Sequence, residues 1–334
     1  MPVRSAHRRQ TMSFQIFRRS RRVLLLALAT LAFGTSAQTW PERPIKLVVP
    51  FPPGGGADTA ARMYGEKLSA LLGQPVLIDN KPGASGNIGA ELVARAPADG
   101  YTLLFANEFL ATNPLMFKEI RYDSLKDFVP IAKVASNAAA IAVHPSLGIK
   151  TIQELIALGR TKNLNYASPG VGTGPHLFGQ LIAMQTGAKF TNIPYKGSAP
   201  ATADAVGGQV DFIVSTLSPM VPHFNSGRLR GLAITGGKRS PQAPDVPTLI
   251  ESGLISQKYE VWYGVVAPAA VARPITTRLQ QASAQVLRDP ELLNKLRNSG
   301  FDVEPSIGDD FGAELRADMD RWVRVIRDAK IPRE

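Results

Sequence analysis

The chain has 334 residues, 38 Lys and Arg against 27 Asp and Glu, a formal charge of +11, 44% hydrophobic residues and no cysteine. The missing cysteine excludes disulfides, thiol catalysis and cysteine-bound metal centres. The charge is placed unevenly: residues 1–37 hold seven arginines and no acid, so the other 297 carry 31 basic and 27 acidic side chains, without the basic stripe and interleaved aromatics of a nucleic-acid binder.

Residues 1–22 form a basic stretch, Val23 to Phe33 an apolar core of 11 residues, and Thr35-Ser36-Ala37 a small-residue site before Gln38. This is the pattern of an export signal cleaved after about Ala37, with a core too short for a comfortable membrane span. Ser20-Arg21-Arg22-Val23-Leu24-Leu25 is similar to a twin-arginine signal but has Leu24 where Phe is usual, which leaves the export route open. No later apolar run approaches 20 residues, so the sequence predicts a soluble periplasmic protein.

After the signal, strand-like and helix-like runs alternate, the signature of an α/β fold. Ile45–Val49 and Val76–Asp79 read as strands around a helix over Asp58–Leu72. Gly83 to Gly89 leads into a helix ending near Ala94, and Tyr101–Ala106 is a third strand ending at Asn107. Phe128–Val134 leaves this unit. A second unit follows, with strands at Ala140–Val143, Asn165–Ala167, Phe190–Ile193, Asp211–Val214 and Leu229–Ile234. Its helices lie at Ile152–Leu158, His176–Met184, Ala201–Val206 and from Pro219. Tyr259–Ala267 is a last strand, and helices over Pro274–Leu287, Pro290–Asn298 and Ile307–Ala329 close the chain. That order predicts a discontinuous first lobe, residues 38–137 plus 259–334, and a second lobe, 138–258, with a cleft and hinge between them.

Ligands of parallel α/β sheets sit at the carboxyl ends of the strands. Five such ends carry suggestive residues. The opening one, Pro50-Phe51-Pro52-Pro53-Gly54-Gly55-Gly56-Ala57-Asp58, is a proline- and glycine-rich bend running into a helix start. Glycine lets backbone N–H groups approach a ligand closely, and the helix start adds unpaired donors and the positive end of the dipole. The others are Asn107, Ser168 to Leu177, Lys196 to Pro200, and Ser215 to Pro219. Asp58 has two readings: it caps the first helix, or it faces the cleft and holds an amino group of the ligand. Phe51 reads equally as core or as cleft wall, Lys196 as a solvated loop charge, and His176 as a residue that orients its loop.

The glycine runs do not make a nucleotide site. Gly54-Gly55-Gly56 lacks the Gly-Lys-Ser/Thr of a P-loop, and Gly170 to Gly174 lacks the third glycine of a dinucleotide fingerprint. Histidines 144, 176 and 223 belong to no G-x-S-x-G or H-E-x-x-H motif, and nothing singles out a carboxylate pair. The expectation is a non-enzyme without cofactor or metal. A helix start stabilises an anion by ~0.3–1 kcal/mol and each hydrogen bond to a charged group adds ~1.5–3 kcal/mol. Three or four such contacts reach micromolar affinity, about −8 kcal/mol, without a charged anchor.

The motifs carry a resemblance. Trp40-Pro41-Glu42-Arg43-Pro44-Ile45 followed by Val49 to Asp58 resembles the start of the Bug solute receptors, the extracytoplasmic binding proteins of tripartite tricarboxylate transporters. Asn80 to Gly89, Pro97 to Leu103, Ser168 to Leu177, Pro194-Tyr195-Lys196-Gly197, Gly208 to Asp211 and Pro247-Thr248-Leu249 continue it in family order. The resemblance implies a periplasmic-binding-protein fold of the second type, two α/β lobes closing on a small carboxylated ligand. Carried over by position, it points to Phe51, Pro53, Gly54, Gly55, Ala57 and Asp58 from the first loop and to Asn107. Facing them it places Ser168, Gly172, Thr173 and His176, with Lys196, Ser215 and Thr216 as further candidates.

The implied function is capture of a dicarboxylate, aromatic acid, amino acid or tricarboxylate by a monomer that delivers it to membrane permease subunits. A sensor presenting the same ligand to a signalling partner, or an enzyme using the same cleft, are the alternative readings.

Overall fold

The computed structural model describes residues 40–328 and 331–333; the expected export segment and its cleavage site lie outside them. The chain divides after Glu42, and the unit from Arg43 onward holds every element below.

Strand β1 (Ile45–Val49) is IKLVV with only Lys46 exposed, the near-continuous apolar run of a parallel strand covered on both faces. Helix α1 (Gly56–Leu72) buries Ala57, Ala60, Ala61, Tyr64, Gly65, Leu68 and Leu72, a spacing that lays one face on the sheet. It stops at Gly73, whose φ of 69° closes the last turn with an N–H donated to the Ser69 carbonyl. Strand β2 (Val76–Asn80), a short 3₁₀ turn, helix α2 (Asn87–Ala94) and strand β3 (Thr102–Asn107) follow. β1 pairs in parallel with β2 and β3.

Helix α3 (Phe109–Met116) comes next, in a segment whose sequence signals no helix. It buries Phe109, Leu110, Ala111, Thr112, Asn113 and Met116 and contains Pro114. A helix buried on most of its faces has no amphipathic period to detect, and proline argues against a helix interior.

Strand β4 (Phe128–Val143) is one continuous run of 16 residues, where the sequence suggests two strands separated near residues 135–139. The joining residues stay paired: Ser136, Asn137 and Ala138 lie opposite Trp262, Val261 and Glu260, and from Ala139 the partners become Thr216 and its neighbours. β4 therefore belongs to two sheets in turn.

Helix α4 (Ile152–Thr161), β5 (Leu164–Ser168), α5 (Gly174–Thr186), β6 (Phe190–Pro194), α6 (Ser198–Val206), β7 (Phe212–Thr216), α7 (Val221–Asn225) and β8 (Arg230–Ile234) build around the second sheet. β5 lies parallel to β6 and β7, while β7 and β8 flank the end of β4 antiparallel to it. Strand β9 (Glu260–Pro268) returns antiparallel between β3 and β4. Helices α8 (Arg273–Val286) and α9 (Pro290–Asn298), the two-residue strand β10 (Ser306–Ile307) and helix α10 (Asp309–Asp328) finish the chain. Around β4, the strand order is β2-β1-β3-β9-β4-β7-β5-β6. The carboxyl ends of β1 and β3 on one side, and of β5 and β7 on the other, carry the loops singled out above.

Candidate functional site

The two sets of loops meet. Phe51, Gly55, Gly56 and Ala57 from the first loop, Asn107 and Glu108 from the end of β3, Pro169, Thr173 and Pro175 from the loop after β5, Ser198, Thr216, and Val261 with Tyr263 from β9 wall one cavity. It encloses about 20 Å³, room for about one water. A second space of about 240 Å³ adjoins it, lined by Gly83 to Gly86, Phe117, Gly170, Val171, Tyr195 and Lys196. Phe51 and Pro169 stand in the walls of both.

The first loop is built for close approach. Gly55 is the extended residue before α1, and no side chain caps that helix start, so amides at its first turn have no side-chain acceptor. A Cβ on Gly56 would stand 2.7 Å from the Tyr263 hydroxyl, 3.1 Å from Ser218 Oγ and 3.3 Å from Thr216 Oγ1. Only glycine lets the helix start approach the hydroxyls of Tyr263, Ser218 and Thr216 this closely. Gly54, at φ 83°, makes the turn that presents it. Phe51 is buried and meets Phe109 edge-on at 6.0 Å.

Asp58 does not cap the first helix with its side chain. Its Oδ2 accepts the Gly54 N–H and Arg62 Nε, both at 3.0 Å, and its Oδ1 accepts Asn80 Nδ2 at 3.0 Å. Burial pushes its carboxyl up, but the Arg62 guanidinium, the Gly54 N–H and the Asn80 amide together hold it below the usual carboxylate range. It braces the glycine loop from behind and is absent from the cavity wall. Pro53 and Gly54 are exposed beside the cavity.

Across the cleft, the Thr173 hydroxyl donates to the Gly170 carbonyl at 2.7 Å, closing the turn before α5. His176 Nδ1 accepts the Gly172 N–H at 3.1 Å, so the ring carries its proton on Nε2. Burial lowers its pKa to about 4, and it orients the loop as a neutral group. Gly172, at φ 78°, packs against Asn113, Met116 and Phe117 of the α3 region. Ser168 and Ser215 are fully buried and absent from the cavity wall, their hydroxyls without a protein partner. Thr216 Oγ1 lies 3.2 Å from Ser198 Oγ. Lys196 is exposed and borders only the outer space. Asn107 Oδ1 accepts the Phe109 N–H at 3.1 Å and so holds the start of α3.

Sequence reasoning does not single out Glu108 or Tyr263; Gly56 and Ser198 lie in loops it marks but not among the residues the resemblance carries over. Glu108 is 2% exposed. Its Oε1 accepts the Gly174 N–H at 3.1 Å across the cleft, and its Oε2 has no partner in the protein. Burial drives its carboxyl up to about 8; the Gly174 N–H pulls downward and the charge of Asp318 adds to the rise. Burial and the nearby Glu108 carboxyl also push the Tyr263 hydroxyl upward. The signal for Glu108 is its place one residue past the predicted end of β3. Tyr263 sits mid-strand, where nothing local marks it.

A sequence profile described as "Tripartite tricarboxylate transporter family receptor" matches residues 60–331. The chain belongs to this family. Among individual relatives, Protein BugT of Bordetella pertussis is 34% identical over 91% of this chain and 95% of its own length. An R. palustris protein solved with adipate is 34% identical, with a TM-score of 0.85 over 88% of this chain and 100% of that one. A second protein from Rhodopseudomonas palustris, solved with bound malate, is 29% identical, with a TM-score of 0.81 over 86% and 100%. This receptor is a Bug-type solute-binding protein with the two-lobed α/β fold of periplasmic binding proteins, and the resemblance drawn from its motifs holds. No helix among its described residues is long and apolar enough to cross a membrane.

Proposed function

We propose that this receptor is exported to the periplasm, captures a small carboxylate as a monomer, and delivers it to membrane permease subunits without chemically altering it. We read the chain as dividing near residues 137 and 259 into two lobes that part to admit the ligand and close over it.

One observation carries the reading. The amides that open α1 and the hydroxyl-bearing loops of the second sheet wall a single cavity too small for any dicarboxylate unless the lobes part. Carboxylate oxygens match that lining: backbone N–H groups at a helix start favour an anion, and each hydrogen bond to it contributes ~1.5–3 kcal/mol. Adipate and malate in two relatives are of this ligand class. Closure follows from contacts that only the closed form makes.

Calorimetry and thermal melting of the mature protein, freed of co-purified ligand by unfolding and refolding, test the proposal against a panel of small carboxylates. A true ligand at a hundred times its Kd stabilises by about 2.7 kcal/mol, a rise of several degrees in Tm. One ligand bound per chain and recovered unchanged is the expected result. A panel in which no carboxylate moves the melting curve, or in which one is converted, overturns it.

A further inference from the structure

Glu108 stands in the wall of the inner cavity, 2% exposed. Its Oε1 accepts the Gly174 N–H, and its Oε2 is buried without a protein partner. Among the described residues, no lysine or arginine lines that cavity. A carboxylate taken out of water with no cation beside it is strongly disfavoured, so the group keeps a proton instead. The oxygen that accepts the Gly174 N–H is then the carbonyl of the acid, which puts the proton on Oε2. The wall presents an O–H donor where the sequence writes an acid.

The surrounding groups favour this state. Asp318 on α10 adds a negative charge nearby and is itself held by Arg321 and by Trp262 Nε1. Tyr263 on β9 is pushed upward and stays neutral, and His176 on α5 is neutral with its Nδ1 on the Gly172 N–H. On α1, Arg62 is engaged by Asp58 behind the glycine loop, and Lys196 borders only the outer space. None of them supplies the positive charge that ionisation needs, and burial drives the Glu108 carboxyl up to about 8.

We propose that Glu108 is the residue that reads the far end of the ligand, donating Oε2–H to a distal carboxylate while the near carboxylate sits on the amides that open α1. The inference rests on the carboxylate-receptor reading above; what it adds is a donor made from an acid, and with it an upper pH limit on capture. An O–H···O⁻ bond is short and charge-assisted, and it needs no counter-charge in the wall. Once ionised, the same carboxyl meets the distal carboxylate as a like charge. The bound anion favours the protonated form, so above about 8 each binding event draws a proton from solution and affinity falls as pH rises. A monocarboxylate, with no distal anion to repel, loses less.

Calorimetry on the mature protein compares adipate with hexanoate and succinate with butyrate at pH 7 and pH 9.5, each pair exchanging a distal carboxylate for a methyl group. The expected result is a dicarboxylate bound at least tenfold tighter than its partner at pH 7, with that preference cut at least tenfold at pH 9.5. Glu108→Gln, which cannot ionise, is expected to lose the pH dependence, and Glu108→Ala, which has no donor, to lose the preference at pH 7. Should the variants fail to fold, titrating the unmodified protein at pH 9 in buffers of different ionisation enthalpy counts the protons. Uptake of a substantial fraction of one proton on binding the dicarboxylate supports the proposal. A preference that holds at pH 9.5, falls equally in Glu108→Gln, or comes without proton uptake overturns it while leaving the carboxylate receptor intact. Tighter binding of the monocarboxylates, or binding by neither pair while another carboxylate of the wider panel binds, does the same. No response from any carboxylate removes the receptor reading and this inference together.

Discussion

Gly174 donates its N–H to Glu108 Oε1 at 3.1 Å, so a carboxyl from the first sheet's edge caps the helix start of the second. The pair ties two rows of loops together and places a buried acid where its protonation affects folding. Its pKa is raised to about 8 from an ordinary 4.5. Below the unfolded value both states hold the proton and nothing is lost. As pH rises from about 4.5 to 8 the unfolded chain ionises while the folded chain keeps its proton, so stability falls. The unmodified protein is expected to lose on the order of a few kcal/mol across that window, and Glu108→Gln to flatten the loss. Urea unfolding at pH 5, 6.5 and 8 measures it. Parallel slopes for the two proteins are the result that contradicts this account.

His176 gives the opposite slope. Burial holds its folded pKa near 4, below the ordinary 6.5, so the unfolded chain binds the extra proton between those values and stability falls as pH is lowered through that window. His176→Gln keeps an acceptor for the Gly172 N–H and removes the titration. Its unfolding midpoint is expected to change less than that of the unmodified protein between pH 6.5 and pH 4.5. An equal change in both proteins sets His176 aside as the source.

Gly56→Ala is expected to weaken ligand binding at least tenfold. Its Cβ falls 2.7 Å from the Tyr263 hydroxyl and 3.1–3.3 Å from Ser218 and Thr216, and Tyr263 is too buried to swing aside. Overpacking of this kind costs ~1–3 kcal/mol. Adding Tyr263→Phe removes the atom in the closest contact and is expected to recover part of the lost affinity. Calorimetry on the single and double variants decides it, and a double variant no better than the single places the clash elsewhere.

These sites differ in how legible they are in the sequence. The α/β alternation and the loop at Phe51 to Asp58 are readable because strand, glycine run and helix start stand side by side in the chain. Thr173 and His176 are readable for the same reason, as parts of a turn opening a helix. Glu108 lies one residue beyond a correctly placed strand end. It escapes notice because α3 is buried on most of its faces, so its residues lack the period that announces a helix. Tyr263 joins the site only through pairing of segments far apart in sequence. The continuity of β4 is hidden likewise: Ser136 and Asn137 read as a break, yet β9 pairs them, and Asn137 Oδ1, at the junction, accepts the Leu217 N–H at 3.0 Å.

Asp58→Asn separates bracing from ligand contact. Asp58 receives Gly54, Arg62 and Asn80, and an amide in its place brings donors to a cluster that needs acceptors. The expected outcome is a stability loss of ~1–3 kcal/mol with affinity lowered by a similar factor for every ligand, because the loop loosens while the cavity wall keeps its chemistry. Lowering pH mimics the substitution. The folded pKa is depressed, so the brace is fully present above about 3.8 and is lost as pH falls through the folded value. Selective loss of aminocarboxylates, with other carboxylates unaffected, would instead put Asp58 in contact with ligand.

Thr173 tests whether a loop hydroxyl acts on the ligand or on its own turn. Its proton goes to the Gly170 carbonyl, so it has none to give a carboxylate. Thr173→Ser keeps that bond and is expected to bind within about threefold of the unmodified protein. Thr173→Ala loses it, a net cost of ~0.5–1.5 kcal/mol for a neutral pair, and frees a turn that also positions Gly174 for Glu108. Binding weaker by up to about tenfold is expected, with a faster dissociation rate. Stopped-flow competition gives that rate. Equal rates for serine and alanine would remove the hydroxyl from any role in closure.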